Sequence, residues 1–261
     1  MERYRFMTYE QYIKKIKKKK IIIKTFQLLI FIIFIFIWQY LSDKNIINTF
    51  ITSSPKRVLV TIIKLYKENN LIFHIFTTIK EIIISFVITC FLSILISIIL
   101  YSNDTLSKII EPYLVILNSL PKVSLGPIII IWIGANIKSI IAISILISLI
   151  VSIESIYNGF INTDKLKIKL LKTFNASKKD ILFSLVIPSN KSTIKNTFKI
   201  NISMCLIGTI TGEFLTSKAG IGYLIIYGSQ IFNLDLVMSG IFILLVISII
   251  FYKIVSLIIK E

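Results

Sequence analysis

The 261 residues of this chain are 55% hydrophobic, with a mean hydropathy of +0.85 and a formal net charge of +17 at pH 7. Repeated apolar runs of about eighteen residues or more exceed what a soluble core can bury, which excludes an ordinary soluble domain. Because the runs are continuous rather than alternating, they predict an all-α, polytopic membrane protein with about six transmembrane helices. The lysines lie mainly beside these runs, a placement typical of membrane topology and not of nucleic-acid binding.

Side chains that could catalyse a reaction or hold a metal are sparse. His74 is the one histidine, and the carboxylates are not clustered in sequence, so no metal site and no nucleophilic active site is predicted. Cys90 and Cys205 lie inside predicted spans without a CxxC motif, and we interpret them as buried free thiols. The sequence lacks a P-loop, and GIGY at 220–223 follows no strand, so we predict no cofactor and no enzymatic activity in this chain.

The chain begins with a basic tail, residues 1–20, that ends in IKKIKKKK directly before a first apolar span at 21–41. The positive-inside rule predicts that this tail is cytoplasmic. Residues 42–71 are then external, and within them Pro55 begins a predicted amphipathic helix that lies on the membrane. Its apolar side consists of Val58, Leu59, Ile62, Ile63, Leu65 and Tyr66. The remainder, 72–261, is the predicted transmembrane core.

Small polar residues recur at four-residue spacing along three predicted spans, at 72–100, 138–157 and 194–215. This spacing places them on one face of each helix, and such a face is expected to contact protein. Two interpretations remain open, and they can coexist: close helix packing, or the lining of a translocation path. The path residues would be Ser85, Ser93, Ser148, Asn201, Thr209 and Glu213.

Two features interrupt the apolar character of the spans. Pro121, Gly126 and Pro127 break the third span, which predicts a broken helix of the kind that protein or water must cover. Four ionisable residues also lie within spans, namely Lys80, Glu81, Glu154 and Glu213. Because each lies within about two turns of a predicted helix end, we interpret them as interfacial anchors. The last span is predicted at 236–259, after a loop.

Residues 158–193 form a long, lysine-rich interruption between apolar spans. Two short helical patterns, KLKIKLLKTF and SKKDILFSLVI, meet there at Asn175, a residue type that tolerates the left-handed conformation. Ser177 is the expected N-cap of the second helix, which Ile187 and Pro188 are expected to end. An amphipathic helix-turn-helix of this kind is predicted to dock on a partner on the cytoplasmic side.

The order of these features resembles the permease subunit of bacterial ABC importers, the inner membrane component of binding-protein-dependent transport systems. Within that family it most resembles the branch that handles sulfonates, taurine, nitrate and thiamine-precursor-like solutes. The resemblance covers nearly the whole chain and is carried by SSPKRVLVTIIKLY, EPYLVILNSLPKVSLGPIIIIWIG and GEFLTSKAGIGYLI. It implies a type I ABC importer permease fold in the bacterial inner membrane.

The resemblance also implies a coupling motif within residues 158–193. The family pattern is Glu-Ala-Ala, three residues, Gly, nine residues, then Ile-x-Leu-Pro. The ATPase-coupling residues that align with it, or lie directly after its turn, are Lys169, Leu170, Leu171, Asn175, Ala176, Ser177, Leu185, Ile187 and Pro188. Asn175 replaces the Gly and Lys169 replaces the Glu, so the contact at Lys169 must differ in charge even where the shape of the loop is kept.

The resemblance further implies the partners of this chain. An external solute-binding protein would deliver a small solute, a separate ATPase subunit would drive its uptake, and the permease would form a homodimer in the lipid bilayer, with no nucleic-acid partner. The alternative is a stand-alone secondary transporter or channel. That alternative would be favoured by paired buried charges near the middle of the membrane or by an inverted repeat, and the sequence shows neither.

Overall fold

The computed structural model describes residues 9–68 and 71–258, and the described chain is helical, without β-strands. Five helices are long and apolar enough to cross a membrane, and a bent pair supplies a sixth candidate span. The five are α1 (Tyr9–Asp43), α4 (Leu71–Ser102), α7 (Ile137–Ile161), α11 (Lys191–Thr216) and α13 (Leu234–Ile258). The all-α, polytopic architecture predicted from the sequence is therefore confirmed. The predicted cytoplasmic end of the last span, Lys260 and Glu261, lies outside the described residues, as do residues 1–8.

The bent pair is the predicted broken span. It consists of α5 (Asp104–Ser119), a 3₁₀ turn (Lys122–Leu125) and α6 (Gly126–Ile133), whose two arms meet at 95°. Leu120, the residue before Pro121, is extended with φ −69° and ψ 141°. The proline ring excludes the helical conformation from the preceding residue, which explains why the helix stops here.

The helices α4, α7 and α11 pack together as the core of the bundle. Glycines allow α7 and α11 to approach closely: a Cβ atom at Gly208 would lie 2.5 Å from the Cα of Ser144, and one at Gly212 would lie 2.9 Å from the Cα of Ile140. A larger residue at either position would push backbone apart.

The N-terminal elements pack beside this core. The helix α1 is unbroken from Tyr9, so no change in backbone marks the predicted boundary between tail and span at residue 20. After α2 (Thr49–Thr52), the amphipathic helix α3 (Pro55–Glu68) begins at the predicted proline. Val58 and Leu65 are buried, and the guanidinium of Arg57 lies 2.6 Å from the Asp235 carboxylate of α13. The predicted apolar side is thus divided, since Leu59, Ile63 and Tyr66 remain exposed.

Residues 158–193 fold as predicted into two helical parts with a turn between them. These are α8 (Lys165–Thr173), then α9 (Lys178–Ile181), a π-helical turn (Leu182–Val186) and α10 (Ile187–Ser189). The expectation that Ile187 and Pro188 end the second helix is wrong, because the helical path continues to Ser189 and breaks at Asn190. Proline has no N–H to donate to the carbonyl four residues earlier, and the widened π turn accommodates that loss, with the Ile187 N–H donating to the Leu182 carbonyl.

The predicted loop before the last span contains a helix, α12 (Ile221–Gln230), which packs on α13 and α11. Two hydrophobic cores lie at opposite ends of the bundle. At the α12 end, one core joins α3, α4, α11, α12 and α13 and includes Ile82, Ile221 and Ile243. At the α8 end, the other core surrounds Phe160 and Val186. Because α4 and α11 run between them, each helix connects the two ends.

Candidate coupling surface and polar core

The turn at Asn175 is closed by its own backbone. Asn175 has φ 57°, the left-handed conformation predicted from its residue type. The Ala176 N–H donates to the Leu171 carbonyl (3.1 Å), and the Asn175 N–H donates to the Lys172 carbonyl (3.0 Å). This pair of bonds is a Schellman motif, which satisfies the last carbonyls of α8. The angle between α8 and α9 is therefore fixed by local hydrogen bonds.

The second helix starts with the predicted N-cap. The Ser177 hydroxyl accepts from the Asp180 N–H, and the Asp180 carboxylate accepts from the Ser177 N–H (2.9 Å) and hydroxyl (2.6 Å). This reciprocal arrangement is a capping box. The two hydrogen bonds to the charged form lower the pKa of Asp180.

The nine predicted coupling residues divide between an exposed surface and a buried one. Those that face inward pack against the core around Phe160, and they are Leu171, Ala176 and Ile187. The exposed residues are Lys169, Leu170, Asn175, Ser177 and Pro188, and Leu185 is half-buried. The inward group holds the segment to the ends of α4 and α7, while the exposed group is available to a partner.

An apolar ridge lies on the exposed side of α8 and its turn. We define the docking ridge as Leu166, Leu170 and Phe174, whose exposed fractions are 75%, 57% and 73%. Lysines 165, 167, 169 and 172 flank the ridge. The family motif did not point to Leu166 or Phe174, although their four-residue spacing with Leu170 is visible in the sequence. Exposed apolar groups ordered in this way are typical of protein interaction sites.

A cavity of about 290 Å³ lies behind this segment, between it and the ends of α4, α5 and α7. Its lining includes Tyr101, Tyr157 and Lys172, together with Lys178, whose ammonium lies 3.7 Å from the Asp104 carboxylate. The coupling segment therefore contacts the helix bundle around the rim of this cavity, and its interface with the bundle is not continuous.

The polar stripes meet one another inside the bundle. All six predicted path residues are buried in the single chain: Ser85, Ser93, Ser148, Asn201, Thr209 and Glu213. Hydrogen bonds between helices join Thr89 with Ser148 (2.8 Å), Ser152 with Asn201, Thr209 with Ser144 (3.3 Å), and Ser144 with the Cys205 carbonyl (2.9 Å). Interhelical packing thus accounts for most of these side chains, whereas the Ser85 hydroxyl has no hydrogen-bond partner within the described chain. Their role in a path stays a prediction.

Two of the four ionisable residues are not interfacial anchors. Glu81 of α4 and Glu213 of α11 are both buried, with exposed fractions of 1% and 0%, and Glu81 lies one turn beyond Thr78, whose hydroxyl donates to Glu213. The interfacial interpretation is therefore wrong for this pair, because neighbouring helices cover it near the end of α11. Lys80 is exposed, and Glu154 is half-buried with the Asn118 amide donating to it (2.6 Å).

The carboxyl pair lies against the N-terminal end of α12. Glu213 accepts hydrogen bonds from the Thr78 hydroxyl (2.6 Å) and from the Gly222 N–H. Glycine is required here, because a Cβ atom at Gly220 would lie 2.4 Å from the Glu213 carboxyl group and one at Gly222 would lie 2.7 Å from it.

Sequence reasoning missed the parts played by Thr78, Gly220 and Gly222. A signal was present: Thr78 and Glu81 lie one turn apart on the same face of α4, and two glycines follow Glu213 at a short distance. Nothing local, however, connects α4 to those glycines. In the structure, the GIGY sequence is where the backbone approaches a buried carboxylate.

Comparison with known proteins agrees with this architecture. The family model described as the inner membrane component of binding-protein-dependent transport systems matches residues 90–260. A probable ABC transporter permease protein of Haemophilus influenzae is 27% identical over 226 residues, which cover 86% of this chain and 91% of that protein. A formylaminopyrimidine transport permease protein of Halalkalibacterium halodurans is 27% identical over 75% of this chain and 77% of its own length. A putative aliphatic sulfonates transport permease protein of Bacillus subtilis is 20% identical over 82% of this chain and 78% of its own length.

The matched residues include α7, the whole coupling segment, α11, α12 and all of α13 that the structure describes. The helical architecture, the broken third span and this family match point to the same class of protein. The chain belongs to the family of inner membrane components of binding-protein-dependent transport systems, and it is a multi-pass permease component of an ABC transporter.

Proposed function

We propose that this permease imports a small solute into the cytoplasm, that an external binding protein delivers the solute, and that a separate ATPase subunit drives the cycle. ATP hydrolysis would take place in the partner and not in this chain. The docking ridge is the observation that carries the proposal, because it presents ordered apolar side chains outside the membrane-spanning helices. With the N-terminal tail and the docking ridge on the cytoplasmic side, the α12 end would face the binding protein.

The packing of the coupling segment supports a mechanism of transmission. Leu171, Ala176 and Ile187 pack into the core that also contains Phe160 of α7 and Ile98 of α4. A rigid turn joined to two membrane helices would move with them as one body when the ATPase closes. Two copies of the permease, one for each ATPase subunit, would then alternate the access of the solute path.

The interaction with the ATPase can be tested by placing a charge in the ridge. We expect Phe174→Asp to abolish co-purification of the ATPase subunit encoded with this permease, because burial of an unpaired carboxylate in the interface is costly. The matched control is Phe232→Asp, which changes a phenylalanine of similar exposure (75%) at the α12 end. Retention of the ATPase by Phe174→Asp, or equal loss by both variants, would contradict the docking role of the ridge.

The transport activity itself requires reconstitution in proteoliposomes with the ATPase and the binding protein. The names of the relatives supply a first set of solutes: a formylaminopyrimidine and an aliphatic sulfonate. We expect uptake of one solute of this kind to require ATP on the side of the docking ridge. Uptake by the permease alone, without ATPase, would instead support the stand-alone transporter.

The polar stripes are the proposed lining of the path between α4, α7 and α11. We expect single cysteines at Ser148, Asn201 and Thr209 to react with polar thiol reagents in some transport states only, for example with and without ATP. The native thiols Cys90 and Cys205 are buried and would be replaced by alanine beforehand. If all three positions stay protected in every state, the stripes serve packing alone.

A further inference from the structure

The carboxyl groups of Glu81 and Glu213 lie buried in one cluster, and the pair has no role in the family match or in the proposed function, which places Glu213 alone on the solute path. The two residues come from different helices, α4 and α11, and both side chains are shielded from solvent. Two ionised carboxylates have only acceptor atoms, so a hydrogen bond between them requires one proton on the pair. Without that proton, two adjacent negative charges would repel each other in a site with little screening.

The surrounding donors indicate which member carries the proton. Glu213 accepts from the Thr78 hydroxyl and from the Gly222 N–H of α12, a set that suits a carboxylate anion. Glu81 has a very different environment: its Oε2 atom has no hydrogen-bond partner among the described residues. Lys80, the neighbouring residue on α4, is exposed. A neutral carboxylic acid at Glu81 that donates to an anionic Glu213 satisfies these contacts best.

The first backbone N–H groups of α12, which have no partner within that helix, donate hydrogen bonds to the same cluster. The Gly220 N–H donates to His74 Nδ1 (3.1 Å), the Ile221 N–H donates to the Thr78 hydroxyl (2.8 Å), and the Gly222 N–H donates to Glu213. All of these acceptors lie on α4 or α11. Besides the apolar packing of Ile221, these hydrogen bonds hold the N-terminal end of α12 to two core helices.

We propose that Glu81 and Glu213 form a carboxylic acid–carboxylate pair that shares one proton, in which neutral Glu81 positions anionic Glu213 and Glu213 positions α12. Loss of this pair would free α12 from α4 and α11, the helices whose other ends contact the coupling segment. The contacts lie within one chain, so the proposal does not depend on the partners or on the direction of transport.

The proposal predicts that glutamine replaces one glutamate and not the other. The amide of Glu81→Gln can still donate to the Glu213 carboxylate, whereas Glu81→Ala cannot. In Glu213→Gln, one of the two acceptor oxygens becomes an NH₂ group, which opposes a backbone donor of α12. Hydrogen–deuterium exchange of the full-length permease in lipid nanodiscs would measure the protection of the peptide that contains residues 220–223.

We expect near-wild-type protection in Glu81→Gln, and about tenfold or faster exchange in Glu81→Ala and Glu213→Gln, the loss expected when a buried hydrogen bond to a charged group is removed. The control is Glu111→Gln, an exposed residue of α5, which should leave the peptide unchanged. Equal exchange in Glu81→Gln and Glu81→Ala would overturn the proposal, as would wild-type protection in Glu213→Gln.

Infrared spectroscopy supplies a second measurement that does not depend on the alanine variant. The wild-type protein should show the carbonyl stretching band of a protonated carboxylic acid, and the band should be missing from Glu81→Gln and present in Glu111→Gln. A spectrum in which Glu81→Gln leaves the protonated carboxyl band unchanged would show that Glu81 does not hold the proton.

Discussion

The two ends of the helix bundle are fixed in opposite ways. At the α8 end, the turn is closed by bonds between near neighbours: the Schellman bonds around Asn175 and the capping box of Ser177 with Asp180. At the α12 end, two backbone amides donate to side chains far away in the chain, those of His74 and Thr78, and Thr78 meets Glu213 across 135 positions. The α8 end is exposed and rich in lysine, whereas the carboxyl pair is buried.

This difference shows what each end requires of the rest of the protein. The α8 turn keeps its shape by itself and can present a surface to a partner, since its inward residues only anchor it to the bundle. The position of α12 depends on the relative placement of α4 and α11, so any movement between these two helices should shift α12. Changes at the α12 end should therefore affect the whole fold, and changes at the α8 end should affect partner binding first.

The largest effect is expected from Gly220→Ala at the α12 end. The new Cβ atom would lie 2.4 Å from the Glu213 carboxyl group, and the residue would keep φ at +106°. We expect the free energy of unfolding to fall by about 3 kcal/mol or more. The midpoint of thermal unfolding in detergent would measure this loss.

Gly134→Ala is the matched control for this prediction. Gly134 also has a positive φ, +93°, but its nearest obstacle is a flexible amide, Asn136 Nδ2, at 3.1 Å. This variant tests backbone strain without the carboxylate, so its loss should be clearly smaller. Equal losses in the two variants would show that the approach to Glu213 adds nothing.

A smaller effect, and one confined to partner binding, is expected from Asn175→Val. A β-branched residue in the left-handed conformation costs about 1–2 kcal/mol, which should distort the turn and weaken ATPase attachment. Asn175→Gly is the control, because glycine adopts this conformation without strain. Wild-type ATPase binding by the valine variant, measured by co-purification, would contradict a role for the turn geometry.

The same contrast separates what the sequence could predict from what it could not. The left-handed Asn175, the cap at Ser177 and the break at Pro121 were predictable because each depends on a residue and its immediate neighbours. The Glu81–Glu213 pair was misinterpreted as interfacial, since no local pattern tells which helix will cover a carboxylate. Pro188 failed as a helix end for a related reason: whether a proline stops a helix or widens one turn depends on the packing around it.

Loss of the capping box should weaken the start of α9 alone. Ser177→Ala removes the side-chain acceptor at the N-cap, which costs a helix about 1 kcal/mol. Amide exchange at residues 178–182 should accelerate, while the peptide at 220–223 stays unchanged. Faster exchange at both ends would contradict the independence of the two regions.

The cap should also depend on pH. Its hydrogen bonds lower the pKa of Asp180 in the folded chain, so their stabilisation is present above the pKa of an unfolded aspartate. That stabilisation is lost as the pH falls through the lowered, folded-state value. Ser177→Ala should move the pKa of Asp180 back towards its ordinary range, which NMR titration of the carboxyl carbon would detect. An unchanged titration would mean that the serine does not set the acidity of Asp180.

The smallest effect is expected at Lys169, where the family motif has Glu. Lys169 forms no ion pair among the described residues, so we expect its opposite charge to come from the ATPase. Because the side chain is exposed, Lys169→Ala should weaken ATPase binding by only about 0.2–1 kcal/mol. Lys169→Glu should weaken ATPase binding further, because an acidic surface of the ATPase would repel the new carboxylate, and added salt should reduce the difference between the two variants.

Lys138→Glu, an exposed position at the start of α7, controls for charge reversal alone. Tighter binding by Lys169→Glu would instead mean that the ATPase groove keeps a basic surface suited to the family's glutamate, and that the docking ridge, not the charge, holds the complex together.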